Sequence, residues 1–218
     1  MAEDIRTMKD TSNVKEFQVK YELPDCVILD SGYCSMGRMI AYEACKRSGY
    51  TYYDAVMLLE LVPQYGLSKD QVDVYERKLR RRAYSAEELQ EDEEFMRISK
   101  IFDEAADIAL AKGKCLIHDR ISKDQVIAKG YTCVSAMTYA SDLDAKLVKA
   151  RASSVYENIT DDSIVEEAIE EEDRIRKNWK RAHSKDEWGC LESYDLVLNT
   201  DTFGREYAIE LLTSIMKK

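Results

Sequence analysis

A single α/β domain on a mostly parallel sheet is what this sequence predicts, on three observations. Short apolar runs alternate with long amphipathic stretches, the pattern of strands linked by helices. The first apolar run, Cys26-Val27-Ile28-Leu29, passes through small residues into a helical segment. Two prolines and eight glycines in 218 residues are too few for long linkers.

The elements follow in order. Residues 16–23 alternate, with Phe17, Val19, Tyr21 and Leu23 on one face, as in a half-buried strand that Pro24-Asp25 ends. Cys26 to Leu29 reads as a strand buried on both faces. Asp30 to Gly37 is turn-like, and Arg38 to Arg47 is a helix ending at Ser48-Gly49. Residues 53–110 are helical and rich in charge, with helix starts at Ser68 and Ser85. Phe95, Ile98, Ile101, Phe102, Ala105 and Ile108 recur at three and four, which suits a helix lying on a sheet, and Gly113 closes it. Further strands are expected at Lys114 to His118, Tyr131 to Met137 and Tyr194 to Leu198. Helices are expected at Asp142 to Ala150, Asp162 to about Arg181, and Arg205 to Met216.

Composition narrows the function. A hydrophobic fraction of 45% supports a substantial core. The net charge of −10 gives no overall field to attract nucleic acid or an anionic membrane. No apolar run approaches the roughly 18 residues that span a bilayer. Met1 to Lys20 lacks the apolar centre of a secretory signal, so a cytoplasmic location is expected. The six cysteines form no C-x-x-C pair and there are two histidines, so no metal site is expected and the thiols read as reduced.

Strand, small-residue loop and helix N-terminus together make an anion site, because backbone N–H groups and the helix dipole favour negative charge. Gly32 and Gly37 have the spacing of the phosphate-binding G-x-x-x-x-G-K-[ST] motif. Arg38 and Met39 follow in place of the lysine and the hydroxyl residue that holds Mg²⁺. On spacing alone, an ordinary strand-to-helix turn is the plainer reading.

The neighbouring residues add to this. Tyr33, Cys34-Ser35-Met36-Gly37-Arg38, Ile40-Ala41 and Tyr52-Tyr53-Asp54 resemble the opening of the cytidylate-kinase-like family, relatives of nucleoside monophosphate kinases. That family shows a tyrosine, a Gly-Ser-Gly-Gly-Arg loop, an Ile-Ala helix and Tyr-Tyr-Asp; Cys34 and Met36 here replace two of its glycines. Gly113 to Arg120 resembles its apolar strand ending in Gly-Arg, and Tyr139-Ala140 its Tyr-Ala-Pro. Asp173, Arg176 and Trp179 resemble its Asp-x-x-Arg-x-x-Tyr helix. Trp188-Gly189, Tyr194 to Thr200, and Gly204 resemble its closing signatures. The likeness runs from about residue 26 to the end and leaves residues 1–25 as an N-terminal extension.

The resemblance implies a P-loop NTPase-type parallel sheet of about five strands flanked by helices. It also implies a helical acceptor-binding insertion at about 55–110 and a lid at about 160–190. It implies ATP and Mg²⁺ as cofactors and a nucleotide or other small phosphorylated molecule as partner. The family commonly lacks the loop lysine. Aligned without gaps through Ile40-Ala41, Gly37 takes the lysine position; by glycine spacing, Arg38 does. Gly32, Cys34, Ser35, Met36, Gly37, Arg38 and Met39 are the candidate donor cradle.

Arg120, at a strand's end, is the candidate grip for the acceptor's phosphate, against the alternative of a surface pair with Asp119. Asp119 and His118 suit a metal or water, and His118 equally suits the core. Asp54 either caps the next helix or orients the acceptor. Arg176 and Arg181, at the basic end of the long charged helix, are candidates for transition-state charge. That end equally fits a solvated helix whose C-terminal dipole favours cations. The run Arg77, Lys78, Arg80, Arg81 and Arg82 reads as a solvated face or as part of the insertion. Three functions compete: a kinase acting on a CMP-like acceptor, a nucleotide-binding pseudokinase, and an interaction module that uses the acidic stretch 166–173.

Overall fold

The computed structural model of the protein describes residues 22–153 and 155–217. Most of the alternating segment at 16–23 lies outside the described residues, and Glu22 to Pro24 have no regular structure. Five parallel strands form one sheet: β1 (Cys26–Ser31), β2 (Thr51–Tyr53), β3 (Cys115–His118), β4 (Cys133–Tyr139) and β5 (Leu196–Asn199), in the order β2-β3-β1-β4-β5. Cys26 pairs in register with Cys115 on one side and Cys133 on the other, so β1 is the central strand. Strand β2 follows from no periodicity in the sequence, since it is three residues long at the sheet edge.

The continuous apolar run of β1 divides by alternation. Val27 and Leu29 face helices α1 (Gly37–Ser48) and α9 (Thr200–Ser214), packing with Ile40, Ala41, Ala44, Ile209 and Leu212. Cys26 and Ile28 face the opposite layer. That layer contains α2 (Ala55–Glu60), α3 (Lys69–Arg81), α4 (Ala86–Gln90), α5 (Glu93–Ala111) and α8 (Asp162–His183). Helices α6 (Lys123–Ala128) and α7 (Leu143–Arg151) complete the chain order.

Local chemistry sets the helix starts. Ser68 and Ser85 each form a capping box, with Gln71 and Glu88 returning the bond to the cap's own N–H. Ser122 does the same with Gln125 for α6, a helix that the sequence analysis did not predict. Such caps each contribute about 1 kcal/mol. Gly204 breaks α9 with φ 73°, so the regular helix runs from Arg205 as expected and one turn precedes it.

Helix α8 is seated by aromatic packing. Trp179 packs on Phe95 with ring centroids 4.7 Å apart and planes tilted by 43°, and meets Phe102 edge-on at 5.7 Å, which fixes α8 against α5. That anchor sets the rotation of α8, and with it the direction of Arg176 and Lys180 toward the carboxyl ends of the strands.

Candidate active site

A cleft of about 550 Å³ opens over the carboxyl ends of β1, β2 and β3, the expected ligand position in a parallel sheet. The β1–α1 loop forms one wall. Helix α1 has no side-chain cap, so the amides of its first turn are left for a ligand. Met36, its N-cap, has φ 60°, and Cys34 has φ 65°. Both therefore hold the left-handed conformation that suits glycine, at a cost of roughly 1–2 kcal/mol each.

Of the two glycines that give the motif its spacing, Gly37 is the one the packing requires. A Cβ there would fall 2.4 Å from Ser31 Cβ and 2.6 Å from Thr138 Oγ1, while one at Gly32 would meet nothing closer than 3.7 Å. This closes position 37 to a lysine side chain, so the gap-free alignment cannot be restored on this backbone. Arg38 is the loop's cation; its side chain is largely exposed and pairs with Asp54 at 2.7 Å. Asp54 also caps α2 by accepting from Met57 N–H at 3.1 Å. Ser35 is buried and bonds Thr138 Oγ1 at 3.1 Å, which places its hydroxyl behind the loop. Met39 is exposed.

The second wall is the turn after β3. Asp119 (φ 63°) and Arg120 (φ 70°) are both left-handed. With Cys34 and Met36 they are the four non-glycine residues of positive φ among the described residues, and all four line this cleft. Strain gathered in one place is a mark of a functional site. Arg120 pairs with Glu76 at 2.7 Å, and its guanidinium lies 5.5 Å from the Trp179 ring centroid. Its Nε is buried with no acceptor, and so is Asp119 Oδ1 with no donor. The alternative, a surface pair of Arg120 with Asp119, is not formed; Asp119 meets Arg176 Nε at 3.4 Å instead. Burial works against the Asp119 carboxylate, yet the facing guanidinium charges of Arg176 and Arg120 hold its pKa below the usual value.

Behind this wall His118 is buried. Its Nε2 is 2.7 Å from Ser31 Oγ and its Nδ1 3.1 Å from Tyr52 OH. Burial lowers its pKa, and the charge of Asp119 offsets this only in part. A neutral imidazole bonded on both nitrogens holds the ends of β1, β2 and β3 together.

Helix α8 supplies the third wall. Arg176 lies over Tyr33, with its guanidinium carbon 5.7 Å from the ring centroid, and Asp173 accepts from Tyr33 N–H at 2.7 Å. One loop amide thus already holds an intramolecular anion. Lys180, one turn on, reaches a buried Asp30 at 3.2 Å, and Tyr194 OH donates to the same oxygen at 2.8 Å. Burial raises the Asp30 pKa in spite of Lys180.

The expectation that Arg181 joins Arg176 at the site is not met. Arg181 donates to Tyr84 O at 2.9 Å and lines a separate groove with Trp188, because five residues along α8 turn it off the Arg176 face. The basic run of α3 also divides: Arg80 faces the cleft and pairs with Glu172, whereas Lys78 and Arg82 pair with Asp92 and Glu88. The sequence reading did not single out Glu76, Asp30 or Lys149. Glu76 sits in a helix dense with surface charge, and nothing in its spacing marks it as buried.

The resulting electrostatics are compensated throughout. Arg38, Lys69, Arg80, Arg120, Lys149 and Arg176 all line the cleft, and each is in an ion pair. The site fits a phosphate, with uncapped amides at α1 and an unsatisfied Nε on Arg120. It fits Mg²⁺ less well. Met39 replaces the hydroxyl residue, Ser31 and Ser35 are engaged elsewhere, and among the described residues no three metal-binding side chains cluster. Asp119 Oδ1 is a buried carboxylate oxygen with no hydrogen-bond partner.

A model of the cytidylate kinase-like family matches residues 26–202. No curated protein matches the chain in sequence. Among solved structures, an uncharacterised protein from Eubacterium ventriosum is similar with a TM-score of 0.53 and 15% identity, over 87% of this chain and 99% of that one. A shikimate kinase from Bacteroides thetaiotaomicron is similar with a TM-score of 0.51 and 8% identity, over 87% of this chain and 94% of that one. At these identities the likeness bears on the fold, which is that of P-loop kinases. Among the described residues no helix is long and apolar enough to cross a membrane.

Proposed function

Since the chain belongs to the cytidylate kinase-like family, we propose that it transfers the terminal phosphoryl group of ATP to a CMP-like phosphorylated acceptor. The observation that carries this reading is Arg120: its side chain only 10% exposed, held in a strained turn, and lacking an acceptor for its Nε. A guanidinium fixed in this way is preorganised for a phosphate oxygen.

In this reading the uncapped amides of α1 and Arg38 hold the donor phosphates, and Arg120 grips the acceptor. Arg176 neutralises charge that spreads over the transferred group, which is most of what such catalysis requires. Asp54, at the cleft edge beside Arg38, orients the acceptor. Magnesium arriving with the nucleotide would neutralise donor charge, with Asp119 the residue to meet it. Arg181 has no part in the reaction so described.

A second reading is a nucleotide-binding protein without turnover. It is favoured by Met39 in the place of the hydroxyl residue, and by Cys34 and Met36 side chains in a loop that a nucleotide must approach closely. Calorimetric titration of ATP with Mg²⁺, alone and with CMP, separates the two when run beside an assay of ADP release. Binding of both with turnover, each lost in Arg120→Ala or Arg38→Ala, is the expected result. Binding without turnover establishes the second reading, and no binding at millimolar ATP overturns both.

A further inference from the structure

Glu76 is a glutamate on α3 with 3% of its surface exposed. One carboxylate oxygen lies 2.7 Å from Arg120 Nη2 and accepts from Trp179 Nε1 at 3.1 Å. The other lies 4.0 Å from Lys69 Nζ. The guanidinium that the proposed function assigns to the acceptor is thus already occupied by an anion of this chain. Any ligand anion reaching Arg120 must displace that carboxylate or share the guanidinium with it.

We infer that Glu76 determines acceptor specificity by charge: its carboxylate holds Arg120 until a phosphate dianion displaces it, and a carboxylate ligand does not. The inference rests on Arg120 being the acceptor's grip. Exchanging one carboxylate for another leaves the charge at Arg120 unchanged, and Glu76 must still find a new partner. A phosphate dianion brings a second negative charge and a third oxygen, enough to satisfy the open Nε as well. Lys69 is the partner to which the released carboxylate passes. The contact does more than tie α3 to the sheet, because it chooses what replaces it.

The test uses the full chain, with CMP as the phosphate monoester and shikimate as the carboxylate. Wild type binds CMP more tightly than shikimate by at least about tenfold, and Glu76→Gln reduces that preference by about tenfold, mainly by strengthening shikimate. Arg120→Ala loses both ligands. An unchanged preference in Glu76→Gln, with CMP binding still dependent on Arg120, overturns the inference and leaves the proposed function standing. Absence of CMP binding in wild type and Glu76→Gln alike overturns both. A second measurement needs no change at Glu76. In a Trp188→Phe background, the Trp179 indole N–H resonance shifts on adding CMP, as its acceptor leaves, and stays in place with shikimate. A resonance unmoved at saturating CMP overturns the inference whatever the stability of the glutamine variant.

Discussion

Gly37 lies so close to Ser31 that a Cβ at position 37 would fall 2.4 Å from the Ser31 Cβ. Helix α1 therefore begins in direct contact with the end of β1, and the loop geometry depends on a missing side chain. Gly37→Ala is expected to cost about 1–3 kcal/mol, through displacement of Ser31 and Thr138. Gly37→Lys is expected to cost more and to gain no activity. Gly32→Ala, with room for its Cβ, stays within about 1 kcal/mol of wild type. Urea unfolding midpoints of the three variants check this, and equal losses at 32 and 37 would contradict it.

Cys34 and Met36 hold left-handed backbone with L side chains. A β-branched residue is worse suited to that conformation than cysteine, and glycine is better suited. Cys34→Val is expected to be less stable than Cys34→Gly by about 1–2 kcal/mol, although valine keeps more apolar surface. Burial lifts the Cys34 thiol to about 11, so it stays protonated and slow to alkylate at neutral pH. Rapid modification by iodoacetamide at pH 7 would contradict this.

Lys180 and Asp30 are both buried, at 6% and 5% exposure. Removing one partner strands the other's charge. Lys180→Met is expected to lose about 3–5 kcal/mol, and adding Asp30→Asn to recover a large part of it. A double-mutant cycle by urea denaturation measures the coupling, and simple additivity would show that the pair is not linked.

Burial lowers the pKa of His118 and His183, the chain's two histidines. The unfolded chain, with ordinary histidines near about 6.5, then binds more protons than the folded one in mildly acid solution. Their contribution to stability is present in full above that value. It falls as pH drops from about 6.5 toward the lowered folded values. His118→Asn and His183→Asn should flatten the pH dependence of the urea midpoint between about pH 6.5 and 5. An unchanged slope in both variants would show that other groups carry it.

Much of the architecture was legible along the chain. The run Cys26 to Leu29, the capping serines Ser68 and Ser85, the apolar stripe of α5 and the glycine before Arg205 each carry a local signal. Strand β2, three residues long, shows no period, and helix α6, six residues long, shows none beyond the capping box at Ser122. At the site, the loop from Gly32 to Met39 and the turn at Asp119-Arg120 were visible as motif positions. Their partners were not, because Glu76 reaches Arg120 from 44 residues away and Asp173 reaches Tyr33 from 140 residues away in sequence.

The sequence by itself determined most of the order of strands and helices, the place of the anion loop and the family. These rest on periodicity, caps and motifs that act over a few residues. The tertiary structure decided that Gly37 is closed to any side chain and that Arg176 enters the cleft while Arg181 leaves it. It also decided that every cleft cation is met by a carboxylate. The reason is geometric: packing Trp179 against Phe95 and Phe102 sets the rotation of α8, and the sheet register sets which strand ends meet. Neither is encoded in any short stretch of the chain.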